Sequence, residues 1–309
     1  MVGLTALAPA IWGTTYLVTT EWLPPDRPLL ATTVRALPAG LALLLFSRVL
    51  PQGVWWWRAF VLGTLNIGAF NLLLFVAAYR LPGGVAAMVM AVQPVVVLIL
   101  AAVLLGDRIR AVHAVACVVG AAGVVLLVAR GAVALDPVGV AAALGGAVCM
   151  ATGITFTKRW GRPEGVGLLS FTGWQLAAGG LVSLPFTLLG EGLPPSLSGS
   201  HVLGFGYLIV FGAVISYALW FRGIERLPAL AVSFLALGSP LVATVLGLVF
   251  AAESLSVAQT AGVVLILGAV VLAQPRLNSP KPSFSLSPAP RKQGIPRMEN
   301  SPPPHGWGK

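Results

Sequence analysis

Residues 80–107 read RLPGGVAAMVMAVQPVVVLILAAVLLGD, and residues 226–253 read RLPALAVSFLALGSPLVATVLGLVFAAE. Each stretch opens on Arg-Leu-Pro (Arg80, Leu81, Pro82; Arg226, Leu227, Pro228) and runs into apolar sequence. Each is broken near its middle by a polar residue and a proline, Gln93-Pro94 in one and Ser239-Pro240 in the other. Each closes on a small residue and an acid, Gly106-Asp107 and Ala252-Glu253, and the offset between the two is 146 residues. Self-similarity at a fixed offset is the mark of a structural repeat, and it governs the reading of the rest of the chain.

Composition says what the repeat is built from. Of 309 residues, 57% are hydrophobic and 9% charged, with a mean hydropathy of +0.92, against about 25% charged in an ordinary soluble domain. Apolar runs recur at roughly the ~20 residues that cross a ~30 Å hydrocarbon core. Ten candidate spans lie at about 3–22, 28–47, 57–78, 84–105, 111–129, 137–157, 165–189, 202–221, 228–250 and 257–274. Lipid offers backbone N–H and C=O groups no partner, so runs of this length form helices. The expectation is an all-α membrane protein of ten transmembrane helices.

The repeat extends beyond the opening pair. With an offset of 140, Gly13, Thr15 and Tyr16 return as Gly153, Thr155 and Phe156, while Gly40, Leu41 and Phe46 return as Gly180, Leu181 and Phe186. Past the Trp55 region the offset becomes 146, which places six extra residues in the loop near Pro194 to His201. Spans one to five therefore match spans six to ten, with a first repeat over 1–130, a second over 131–275, and a tail over 276–309. Five crossings are an odd number, so two tandem copies lie in the membrane with opposite orientation. The charges agree. Arg48, Arg58, Arg108 and Arg110 follow spans two and four of the first copy, whereas the equivalent loops around Glu191 and Glu253 carry no Lys or Arg. Conversely Arg27 stands alone after span one, where the second copy has Lys158, Arg159 and Arg162. Cytoplasmic loops collect Lys and Arg, which puts both termini on the cytoplasmic side of an inner membrane.

The same bookkeeping disposes of nucleic acid as a partner. The formal charge of +10 divides about evenly between the tail and the loops of the body, where Lys and Arg act as topology signals. Trp55, Trp56 and Trp57 beside Arg58, and Trp160 beside Arg159, fit aromatic anchors at the cytoplasmic interface. The tail from Arg276 is basic, Pro-rich and short of aliphatics, a composition that predicts disorder. Cys117 and Cys149 fall inside apolar runs and have neither disulfide nor metal spacing. The first run lacks a basic n-region and a clear cleavage site, so it reads as the first span.

An inverted repeat with interrupted helices at matching positions points to a secondary transporter, with its site near the midplane where the copies meet. Gln93 with Pro94 and Ser239 with Pro240 mark the interruptions, each proline freeing a carbonyl one turn back. At similar depth lie Trp12, Thr14, Thr15 and Tyr16 on span one, Asn66 and Asn71 on span three, Trp174 and Gln175 on span seven, and Ser216 and Tyr217 on span eight. Amides in lipid must find partners and so face the protein interior. Together these groups describe a substrate site with neutral hydrogen-bonding groups and aromatic walls. Arg35, about 10 Å along span two, is the one charge well inside a span; its repeat equivalent is Gln175. A charge at that depth is a candidate for substrate or gate chemistry, or else a structural tie.

The carboxylates lie in loops or at span ends, so no acid at mid-depth supports ion coupling. There is no P-loop, no H-E-x-x-H and no G-x-S-x-G, and His113, His201 and His305 are scattered. Neither an enzyme, a metal site nor a cofactor is expected. The expected function is a secondary transporter, exporting a small neutral or zwitterionic metabolite by alternating access. Its partners are a small-molecule substrate and the lipid bilayer. The competing reading is a non-transporting membrane partner or sensor.

Trp12-Gly13, Arg35, Pro82, Pro94, Gly106-Asp107-Arg108, Trp174-Gln175, Pro228, Pro240, Glu253, and Gly262 with Gly268 resemble the pattern of the EamA family of the drug/metabolite transporter superfamily. Two such modules would cover nearly the whole chain up to Gln274. The resemblance implies ten helices, inverted repeats and export of amino acids or other small metabolites. The family usually has Glu after the Gly closing span four, and Asp107 is a conservative departure. Leu23 to Pro28, Val34 to Gly40, Trp55 to Arg58, Leu65 to Gly68 and Tyr79 to Gly84 further resemble a branch associated with export of the blue pigment indigoidine.

Overall fold

Proline and glycine punctuate the chain where the helices begin and end. A computed structural model describes residues 1–25, 27–81, 89–128, 136–194, 196–239, 241–242, 245–246 and 256–273. Pro82, Gly84, Arg130, Pro240, Glu253, Gln274 and the tail fall outside the described residues, as does the side chain of Tyr16. Among the described residues the regular structure is helical, in ten rods. They are α1 (Val2–Trp22), α2 (Pro28–Ser47), α3 (55–80), α4 (Gln93–Leu105), α5 (Ala111–Val128), α6 (Pro137–Trp160), α7 (Leu168–Gly190), α8 (Gly199–Arg226), α9 (Ala229–Leu235) and α10 (Val257–Ala273). Pro28 and Pro137 stand in the first turns of α2 and α6, where a missing N–H costs nothing. Asp136 accepts from Gly139 N–H at the start of α6, a bond that holds its carboxyl below the usual carboxylate range. Gly106, at φ +72°, closes α4 in the left-handed conformation.

Among the described residues, four rods are long and apolar enough to cross a membrane by length and composition alone: α2, α3, α6 and α8. The outer faces of the rods carry residues such as Phe46 of α2 (81% exposed) and Leu189 at the end of α7 (90% exposed), surface suited to lipid rather than water.

The packing has the two-fold logic of the repeat. α2 lies against α7 and α5 against α10, each pair being repeat mates. α3 packs on α6 as α8 packs on α1, and α3 on α7 as α8 on α2. α4 meets α6 as α9 meets α1, and α4 meets α9 directly. At the α2–α7 crossing the mates Gly40 and Gly180 each abut the other helix. A Cβ at Gly40 would lie 2.2 Å from Ala177 N, and one at Gly180 would lie 2.6 Å from Leu37 N. Small residues allow this backbone approach, which drives helix association where lipid removes the hydrophobic incentive.

Both interruptions foreseen from Gln93-Pro94 and Ser239-Pro240 are present in the described residues. The rod leading into α4 turns at 91–92 and the one continuing α9 turns at 236–237. There, i→i+3 bonds replace helical ones: Val92 N–H to Val89 O and Leu237 N–H to Phe234 O. A second pair of irregularities gave no sequence signal. α3 contains a π-turn at Thr64–Gly68 and α8 contains one at Leu208–Ile215, positions that coincide under the repeat offset. Such turns widen the helix locally and recur at functional sites.

Contacts sort the loops into two ends. At one end Arg58 lies 5.2 Å over the Trp55 ring and 5.4 Å over that of Trp160, joining the starts and ends of α3 and α6. Lys158 donates to the carbonyls of Glu225 and Leu227 there, and Arg162 pairs with Glu225 at 2.7 Å. At the other end Arg27 donates to the carbonyls of Glu191 and Gly192, and Arg80 pairs with Asp136 at 3.4 Å. The Glu191 carboxylate also accepts from the N–H groups of Leu29 and Leu30, both at 2.8 Å, so the end of α7 caps the start of α2.

Candidate functional site

Trp12 sits near the middle of α1, and its indole reaches into α8. Nε1 donates to Ser216 Oγ at 2.9 Å and Gly212 O at 3.2 Å, while Ser216 Oγ donates to Gly212 O at 2.6 Å. The Gly212 carbonyl lies in the π-turn, where the backbone ladder is re-spaced and side chains take up the carbonyl. Asn71 does the same on α3: its Nδ2 donates to Ile67 O, in the other π-turn, at 2.7 Å. Around the Trp12 ring stand Tyr217 and Trp220, each with ring centroids 5.2 Å away. Thr14 shares a hydrogen bond with Tyr207 of α8. Thr15 Oγ1 donates back to Trp12 O.

Arg35 of α2 completes this group. Its Nη2 donates to Asn71 Oδ1 at 3.2 Å, and its Nε is buried with no hydrogen-bond partner. A Cβ at Gly212 would lie 3.4 Å from Arg35 Cδ and 3.7 Å from Thr15 Cγ2. The glycine thus leaves room where α1, α2 and α8 converge. No Asp or Glu pairs with Arg35 among the described residues.

A second polar group lies across α3. Asn66, fully buried, donates through Nδ2 to Gln175 Oε1 of α7 at 2.9 Å and to Thr157 Oγ1 of α6 at 3.1 Å. Asn66 Oδ1 and Gln175 Nε2 are buried without partners. A Cβ at Gly153 would meet Asn66 Oδ1 at 2.2 Å, so the α3–α6 contact depends on that glycine. Asn66 and Gly212 are repeat equivalents, as are Arg35 and Gln175, and Asn71 and Tyr217. Arg35 and Gly212 of the first group thus occupy the positions that Gln175 and Asn66 occupy in the second, with the charge on one side, while Asn71 and Tyr217 both stand in the first group.

The sequence-derived residues therefore divide. Trp12, Thr15, Arg35, Asn71 and Tyr217 come together, and Asn66 joins Gln175. Gln93, 8% exposed, lies at the α4 break with Nε2 unpartnered. Ser239 borders α1, its carbonyl lying 2.8 Å from a Cβ placed at Gly13. Trp174 stands apart, donating to Val49 O at 2.8 Å and packing with Trp55 and Phe171 at the tied end of α3. Gly212, Thr157 and Tyr207 are site neighbours that the sequence did not single out. Gly212 could have been found as the repeat equivalent of Asn66. Among the described residues no cluster of His, Cys, Asp or Glu is arranged to hold a metal, and both cysteines are free.

A ten-helix two-fold repeat in a membrane, broken and widened at matching positions around buried polar groups, defines a transporter fold. Comparison with known proteins agrees and narrows the class. The model of the EamA-like transporter family matches residues 1–129 and again 137–273, and the chain belongs to that family, within the drug/metabolite transporter superfamily. Protein PecM of Dickeya dadantii is 47% identical over 267 residues, covering 86% of this chain and 90% of that protein. The uncharacterized inner membrane transporter YedA of Escherichia coli K12 is 33% identical over 270 residues, covering 85% and 86%. A solved crystal structure, 26% identical, superposes with a TM-score of 0.74 over 87% of this chain and 94% of the other.

Proposed function

We propose that the chain is a secondary transporter that exports a small neutral or zwitterionic metabolite, such as an amino acid, pigment or drug-like compound, by alternating access. The observation that carries the reading is the convergence of Trp12, Arg35 and Ser216, from helices of both repeats, on the π-turn of α8, with Asn71 beside the α3 π-turn bonded to Arg35. The repeats 1–130 and 131–275 are the rocking units, and the breaks before Gln93 and Ser239 are where the helices flex. Substrate is held by Trp12, Thr15, Tyr16, Arg35, Asn66, Asn71, Gln93, Gln175, Tyr217 and Ser239. Trp174, bonded to Val49 O at the tied end of α3, lies apart from that group.

The protein resides in the inner membrane with both termini cytoplasmic, which the Lys and Arg of the Arg58–Trp160–Lys158 end support. It works without catalytic chemistry. The test compares solutes released by cells with and without the chain, and with Trp12→Ala or Gln93→Ala at equal membrane levels. Release that depends on the chain and falls at least about tenfold in both variants is expected. Wild-type release from both folded variants would remove these residues from the site.

A further inference from the structure

Arg35 is the charge that the transporter reading leaves without a counterpart. Its five N–H donors form a planar fork suited to a two-oxygen anion. One Nη2 hydrogen bond goes to Asn71, while Nε is buried and unpartnered. An uncompensated guanidinium inside a membrane protein is costly, and a partner that brings a negative charge offsets the cost. No protein carboxylate supplies it among the described residues. The position equivalent to Arg35 in the second copy is the neutral Gln175, which is bonded to Asn66. At this pair of equivalent positions the two copies differ by one unit of charge.

We infer that Arg35 is the anchor for a carboxylate on the transported solute, so that the substrate is a monocarboxylate or a zwitterion carrying one, with its organic body against the Trp12 indole. The inference rests on the transporter reading above. A carboxylate accepts from Nε and an Nη in parallel, the bidentate arrangement that makes such pairs strong. A phosphate dianion would call for further cations, and Arg35 is the one Lys or Arg within α2. Gly212 keeps the approach to the guanidinium open. Asn71 Oδ1 orients the far side of the fork, so the charge is held ready rather than free to snorkel.

The test profiles the medium of cells expressing the full chain, its Arg35→Gln variant and its Arg35→Lys variant at matched membrane levels. Solutes whose release depends on the wild-type chain should carry a carboxylate. Their release should fall at least tenfold in Arg35→Gln, which retains an amide donor for Asn71, and return in part with Arg35→Lys. Chain-dependent solutes with no acidic group would overturn the inference while leaving the transporter intact, whatever the folding of the variants. Carboxylated solutes released at the wild-type rate by Arg35→Gln would overturn it as well. Were no solute to depend on the wild-type chain, the transporter reading would fall, and this one with it.

Discussion

At the residue scale, Gly153 and Asn66 form one of the closest contacts among the described residues. Asn66 reaches Thr157 and Gln175 because the α6 surface beneath it has no Cβ. Gly153→Ala puts a methyl where Asn66 Oδ1 lies, and the amide must give up its bonds or the helices must part. The expected loss is about 1–3 kcal/mol, the usual cost of overpacking. Thermal unfolding in detergent of Gly153→Ala, of Asn66→Ala and of the double variant measures it. Rescue of the first by the second is expected, and additive losses would show that the clash lies elsewhere. Amide networks of this kind are worth little per bond in a bilayer, about 0.6 kcal/mol on average, so their value here is in fixing the register of α3, α6 and α7.

At the element scale, two devices are predicted to matter. Gly40 meets main-chain atoms of α7, which cannot swing aside as a side chain can. Gly40→Ala should therefore cost more than Gly212→Ala, whose new methyl meets only side-chain atoms, of Arg35, Leu208 and Thr15, at van der Waals distance. Equal unfolding midpoints for the two would contradict the packing at the α2–α7 crossing. The second device is the Glu191 carboxylate over the first turn of α2, where it meets two N–H groups and the positive end of the helix. Glu191→Ala is expected to cost about 1 kcal/mol, within the range for a lost cap. No change in midpoint would mean that water replaces the cap without loss.

At the scale of the whole molecule, the repeat was legible because it is written in residue types that lipid enforces. Apolar length, the paired Gln93-Pro94 and Ser239-Pro240 breaks, and the reversed Lys/Arg bias each follow from the bilayer as solvent. The pairing of α2 with α7 through Gly40 and Gly180 is half visible in sequence, since the offset makes the glycines mates but does not say what each of them touches. The π-turns were not legible. They insert no special residue, and Asn71 and Ser216 take up their carbonyls only once the helices are packed. The site was legible as a set of polar residues at one depth, but not as two groups. Which face of a helix a Trp presents depends on its neighbours, so Trp12 and Trp174 looked alike in sequence and parted company in the fold.

The claim that joins these scales is that the two inverted units expose the Trp12–Ser216 region to each side of the membrane in turn. In the chain with Cys117 and Cys149 replaced by alanine, a single Ser216→Cys thiol reports on it directly. Labelling by a membrane-impermeant maleimide is measured from outside in cells and from the cytoplasmic side in inverted vesicles. The account predicts slow labelling from both sides, because the residue is fully buried here and becomes exposed only as the units rock. A thiol that stays unreactive from both faces, in protein shown to be folded, would contradict it.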